Sequence, residues 1–161
     1  MALGTCDGLI PSVGTKLYLS ATAPATYDEA GWDALSWTEV YGVENINPFG
    51  AQTQVNELVP LSTGVACKTK GPTDYGQLEW DMGKHTTDDG QVALATARAA
   101  AGPYSFKVEL AETGIVENHR YYMRALVTEQ RVTPGDPSTS VMEHIVCPIS
   151  GVTYEYALAD A

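Results

Sequence analysis

Three histidines, three cysteines and two adjacent carboxylate pairs have the most chemical reach in this chain. His85, His119 and His144 fall in a predicted loop, a turn and a strand. A general base must sit within hydrogen-bond reach of a nucleophile and be oriented by a third group. No GxSxG, HExxH, P-loop or GxGxxG accompanies any of the three. His144 alternates with Glu143 and Ile145 and reads as a surface or cross-strand residue. Asp28/Glu29 lies in a loop. Asp88/Asp89 opens a helix, where acid complements the positive end of the helix dipole. Neither pair therefore requires an acid–base role. Cys6, Cys67 and Cys147 are widely spaced, without a CxxC or a Cys/His cluster, which argues against a structural zinc site. An odd number of cysteines fits reduced thiols in a protein made in a cytoplasm. TDDGQ (Thr87–Gln91) is too short for a calcium loop. The expectation is a protein without catalytic residues, metal or cofactor.

The elements that position these residues are mostly strands. Residues 1–14 are rich in Gly and Pro and read as an N-terminal arm. Thr15–Ser20 reads as a first strand, 21–35 as an acidic loop and Ser36–Tyr41 as a second strand. Between Gly42 and Gly76, Pro48, Gly50, Pro60, Gly64, Gly71 and Pro72 interrupt the chain repeatedly. Short strands are expected there near Thr53–Leu58 and Gly64–Lys68. The segment still holds Phe49, Val55, Leu58, Val59, Leu61 and Val65, more apolar residues than a disordered linker carries. Two readings follow: a segment that orders against a partner, or a pair of irregular strands packed within the same domain.

Gln77–Met82 alternates, with Leu78, Trp80 and Met82 on one face and Gln77, Glu79 and Asp81 on the other. A helix is expected over 87–101. Thr86 and Asp89 form a capping-box pattern, Val92, Ala95, Arg98 and Ala99 share a stripe, and Gly102-Pro103 is the stop. In Tyr104–Leu110, Tyr104, Phe106, Val108 and Leu110 face one way, and Ser105, Lys107 and Glu109 the other. Arg120–Glu129 follows as its hairpin partner, with Tyr121, Met123, Ala125 and Val127 on one face. A Pro/Gly loop (Thr133–Ser138) precedes strands at Ser140–Cys147 and Val152–Leu158. This order predicts an α+β, mainly β protein: an antiparallel β-sandwich or partly open barrel flanked by one helix, with a long inter-strand loop.

The chain has 161 residues, enough for one domain with its own core. Its net charge is −11, and no Lys or Arg occurs between Lys16 and Lys68. Such a chain repels a phosphate backbone, which argues against sequence reading or packaging of nucleic acid but not against DNA passing nearby. The N-terminus has no basic n-region with a long apolar run, and no stretch approaches the roughly 20 apolar residues that span a bilayer.

GTKLYL, the acidic loop leading to SWTEVYGVENINPFG, the insertion ending in TDYGQLEWDM, the helix DDGQVALATA and the strands YSFKVEL, YYMRALVTEQ and SVMEHIVC follow one another in a distinctive order. In that order the chain resembles the tail tube proteins of long, flexible-tailed, lambda-like phages. The likeness runs over nearly its whole length and rests on architecture more than on a strict motif.

The resemblance implies a β-sandwich that forms hexameric rings, whose strands join into a continuous barrel around a channel. Rings stack through the long loop (42–76) and the terminal arms. Partners would be further copies of the chain, a tape measure protein, a tail-tip initiator and a tail terminator, with non-specific passage of DNA. The location would be the virion tail, after assembly in the host cytoplasm. The C-terminal immunoglobulin-like domain of some members is not expected. On this reading Phe49, Val55, Leu58 and Leu61 are ring-stacking residues, with ordinary core as their other reading. Glu79, Asp81 and Glu109 are lumen-facing acids, or else plain solvent-facing residues. Competing readings are the tube of a contractile tail or type VI secretion system, a β-sandwich binding module, and an enzyme. A binding module would want exposed aromatics near loops, and only Trp32 and Trp37 come close.

Overall fold

The computed structural model describes residues 10–111 and 119–157. Alternating apolar residues build two antiparallel sheets that face each other. The first contains β1 (Lys16–Ser20), β2 (Thr38–Val40), β7 (Tyr104–Glu109), β8 (His119–Ala125) and β11 (Tyr154–Ala157), in the order β11-β8-β7-β1-β2. The second contains β3 (Val43–Ile46), β6 (Gln77–Gly83), β9 (Glu129–Thr133) and β10 (Met142–Pro148), in the order β3-β6-β10-β9. A separate two-stranded ladder is formed by β4 (Gln52–Leu58) and β5 (Cys67–Asp74). The sheets do not close into a barrel, and the expected β-rich α+β architecture stands.

The core lies between the sheets. Leu17 and Leu19 of β1, Phe106 and Val108 of β7, and Met123 and Ala125 of β8 meet Leu78, Trp80 and Met82 of β6 and Ile145 and Cys147 of β10. The ring centroids of Trp80 and Phe106 are 5.9 Å apart. The face of β6 predicted from its alternation is the one that is buried.

A helix, α2 (Asp89–Ala99), lies against β1, β2 and β9. Its cap is Asp88 rather than the expected Thr86: the Asp88 carboxylate accepts from Gln91 N at 2.9 Å. The buried stripe is Gly90, Gln91, Leu94 and Ala97, whereas Val92 is exposed. The predicted stripe was displaced because Gln91, a polar residue, is the anchor. Its side-chain amide donates to Tyr41 O and Gly83 O at 2.9 and 2.8 Å, and its carbonyl accepts from His85 N. Gly90 lets the helix approach β2 closely: a Cβ there would run into Glu39 O.

The face of Ser105 and Lys107, expected to be polar and outward, is covered too. The region 21–35, expected as loop, contains α1 (Glu29–Asp33), capped by Asp28 accepting from Gly31 N at 2.8 Å. This turn lays Trp32 on Tyr122, with ring centroids 5.4 Å apart. Tyr122 OH donates to Asp33 Oδ1 at 2.8 Å, and Arg120 bridges to the same oxygen at 3.1 Å. Lys107 Nζ sits 4.2 Å from the centroid of Tyr18. A second, aromatic cluster thus seals the outer face of the five-stranded sheet.

The expected single strand 120–129 is divided between the sheets. β8 belongs to the first and β9 to the second, and the chain between them stays extended. Leu126 N donates to Pro148 O and Thr128 N to Val146 O, both on β10. Such sheet-switching strands make the corners of orthogonally packed sheets.

Candidate assembly surfaces

The segment expected as a long loop is a β-hairpin arm. Thr53 and Val55 onward pair with Thr73 and Lys70 onward, with a one-residue register shift beside Gly71-Pro72. Pro72 cannot donate to a ladder and so suits a strand with a free edge. The turn runs through Pro60–Gly64, with Gly64 N donating to Pro60 O at 2.9 Å and Gly64 at φ +63°. The predicted first strand is found nearly in place. The second lies later than expected, over Cys67–Asp74, because 60–64 is taken up by this turn.

The arm's substantial contacts are between its own two strands. Residues 51–59 and 61–70 are all exposed. Val55 is 63%, Leu58 69% and Leu61 105% exposed, and Val59 and Val65 are exposed with them. A single two-stranded hairpin is marginal in water, and leaving these side chains wet forgoes about 1.5–3 kcal/mol for each one that a partner could bury fully. Charge is distributed unusually as well. Residues 55–70 hold one Glu and two Lys in a chain of net charge −11. Glu57 and Lys68 pair across the ladder at 3.7 Å.

Phe49, grouped with the arm from the sequence, belongs to the body. It is half-buried against the core, its ring edge-on to Tyr121 with centroids 5.5 Å apart. Here the two sheets part, leaving a groove of about 770 Å³. Its apolar floor is Val43, Ile46, Phe49, Val108, Leu110 and Tyr121; Val13 and Glu44 stand on its rim. Helix α2 packs along β1, β2 and β9, and among the described residues no element covers the groove.

The three acids nominated from the sequence lie on different sheets. Glu79 and Asp81 share the outward face of β6, in the four-stranded sheet. Glu79 accepts from Asn47 Nδ2 at 3.0 Å and from Gln77 Nε2, and Asp81 bonds His144 Nδ1 at 2.7 Å. Arg131 and Glu129 of β9 stand in the same cross-strand rows and pair at 3.5 Å. Glu109 is on β7, in the other sheet, 3.5 Å from Lys107 Nζ. Sequence reasoning missed this division, because alternation along one strand does not say which layer the strand joins.

Of the aromatics considered for ligand contact, Trp32 is wholly buried and Trp37 half-buried, donating from its Nε1 to Trp32 O at 3.1 Å. The predicted N-terminal arm lies mostly outside the described residues, and Cys6 wholly so. Cys147 is buried, and its thiol is pushed well above the usual range by desolvation; Cys67 is exposed on the arm. No group of three or more potential metal ligands occurs among the described residues. No described helix is long and apolar enough to cross a membrane.

No protein-family model matches the chain, and no curated protein matches it in sequence. Solved structures do match. The tail tube of SPP1 is 16% identical, with a TM-score of 0.65 over 93% of this chain and 81% of that one. The sheath–tube complex of an extracellular contractile injection system, PVC, matches at 10% identity and TM-score 0.66, covering 95% of each chain. The tube-terminating cap of the anti-feeding prophage matches at 11% identity and TM-score 0.68, covering 98% of this chain and all of that one. The chain therefore has the fold seen in a phage tail tube and in the tube and cap structures of contractile injection systems.

Proposed function

We propose that this protein is the subunit of a phage tail tube, a structural and non-catalytic protein whose work is to assemble with copies of itself into stacked hexameric rings that pass DNA. The observation that carries this reading is the arm over 52–74: an ordered hairpin whose apolar side chains have no cover among the described residues. The fold shared with the SPP1 tail tube supports it. Val55, Leu58 and Leu61 are the ring-stacking residues on this arm, and Phe49 sits at its root.

The channel wall is the outward face of the four-stranded sheet. The other sheet's outer face is sealed by the aromatic cluster around Trp32, whereas β6, β10 and β9 present Glu79, Asp81, His144 and Arg131. Glu79 and Asp81 belong to the wall, and Glu109 is left to its pairing with Lys107. A wall with acidic side chains does not hold a polyanion. The edges of β3, β9 and β11, which no other described strand pairs, are hazards for a lone subunit and pairing sites in a ring. A tape measure protein, a tail-tip initiator and a terminator complete the partners, and the site of action is the virion tail after assembly in the host cytoplasm.

Electron microscopy of the purified chain at high concentration tests this, beside a variant in which residues 53–73 are replaced by an Asn-Gly turn. Tubes or rings of uniform bore from the native chain, and monomers from the shortened one, are expected. A shortened chain that builds the same tubes, or a native chain that stays monomeric throughout, would overturn the reading. A tube inside a contractile sheath is the second reading, favoured by the match to the PVC sheath–tube complex over 95% of both chains. It predicts co-assembly with a sheath protein.

A further inference from the structure

The arm and the groove are complementary, and they belong to different copies. We infer that the tip of the arm, centred on Leu58 and Leu61, seats in the groove beside Phe49 of another copy of this chain. The inference rests on the tube reading and goes further by naming the surface that receives the arm.

Three observations carry it. The first is reach. The groove lies at the arm's root, because Pro48 and Phe49 line it and β4 starts at Gln52. Seven strand residues at about 3.4 Å each put the tip about 24 Å from that root. A straight hairpin cannot fold its tip back into its own groove, so a tip that seats in this groove comes from a second molecule. The second is chemistry. The tip offers Leu58, Val59, Leu61 and Val65, all at least half exposed. The groove offers a floor of partly wet core residues and room for several side chains, within the 300–1,000 Å³ of pockets that enclose small ligands.

The third is charge. Copies of a chain at −11 repel one another, and the outer half of the arm runs against that excess, with Lys68 and Lys70 against Glu57 alone. Lys70 makes no ion pair among the described residues, and neither does Glu44 on the groove's rim. Lys70 stands opposite Val55, midway along the arm, so an arm laid tip-first along the groove brings these two unlike charges to the same contact. Tip and groove are different patches, so the contact is heterologous. Repeated, it either closes a ring or continues along a filament, and each copy keeps one patch free for the next.

Cysteine cross-linking tests the contact without disturbing the core. In a Cys6→Ser, Cys67→Ser background, Leu61→Cys is combined with Val13→Cys; both positions are exposed and Val13 lies on the groove's rim. Oxidation of assembled protein should give a ladder of covalent multimers that neither single variant gives. Leu61→Cys with Val92→Cys, on the exposed side of α2, is the control and should give none. Glu44→Lys should reduce the yield of cross-linked ladder several-fold, and Lys70→Glu added to it should restore part. Tubes that form normally while the Val13 pair stays unlinked, or while the Val92 pair links as readily, would overturn the groove and leave the tube reading standing. Failure of even the native chain to assemble overturns both.

Discussion

Lys84 Nζ lies 2.6 Å from Glu143 Oε1, on a carboxylate that is 1% exposed. Lys84 follows β6 directly and its own N–H donates to Val141 O at 2.8 Å, so the pair fastens the end of β6 to β10. Gln130 adds a longer bond of 3.4 Å to the same oxygen. Glu143 Oε2 is buried without a hydrogen-bond partner among the described residues.

That geometry makes Lys84→Ala costly. It leaves a buried carboxylate with only one weak donor. Breaking a fully buried pair costs 3–5 kcal/mol; since Lys84 is a third exposed, about 2–4 kcal/mol is expected here. Replacing both partners together, Lys84→Met with Glu143→Leu, should cost less than Lys84→Ala alone. Urea unfolding of the three proteins decides, and a single variant as stable as the native chain would remove the pair from the account of the fold.

Gly90→Ala should destabilise the protein by about 2 kcal/mol or more, although Ala is the better helix former. The added methyl meets Glu39 O and the backbone of Val40, neither of which is a flexible side-chain end. Thermal unfolding reads this directly. An Ala variant with a raised Tm would mean that α2 does not lie so close to β2.

Leu58→Asp with Leu61→Asp should leave the isolated subunit's stability within about 0.5 kcal/mol of the native value, as for ordinary surface changes, and should abolish assembly. Both side chains are exposed. Unfolding curves and sedimentation on the same sample separate the two effects. Tubes that persist would take the arm out of the interface.

Stability should fall as pH rises above about 10. Burial, followed by the hydrogen bond to Asp33, holds the Tyr122 hydroxyl well above its ordinary value of 10.0. Tyr18 and Tyr121 are raised as well, mainly by burial. The unfolded chain then releases these protons first, the folded state binds more of them, and unfolding becomes easier with each step of pH. Lys107 works in the opposite sense: desolvation lowers its pKa, so the folded state gives up that proton early. Tyr122→Phe should lower stability near neutral pH by about 1–2 kcal/mol through the lost bond to Asp33 and should flatten the alkaline slope. An unchanged slope would show that Tyr122 does not titrate in the unfolding equilibrium.

Much of this architecture was legible because period-two alternation is strong in the central strands. Leu78, Trp80 and Met82 announced the buried face of β6, and Phe106 and Val108 that of β7. What escaped was long-range. Nothing local tells that Lys107 lies 5.3 Å from the Trp37 ring or that Ser105 donates to Thr22 O, since those partners are 70 or more positions away. Thr86 and Asp89 looked like a cap, but Asp88 took the role because its carboxylate also meets Tyr41 N, at 3.3 Å. For the assembly surfaces, the apolar residues of 49–65 stood out by type. Only the structure separates Phe49, at the root, from Leu58 and Leu61, near the tip, because burial there depends on where the chain leaves the body.

The extended run from His119 to Thr133 hydrogen-bonds first in one sheet and then in the other. A tensile load on either layer is therefore passed along a covalent backbone to both ladders at once. The two sheets cannot slide over each other without breaking the bonds on each side of Val127. In a wall built of such subunits, resistance to shear would come from chain continuity rather than from side-chain friction.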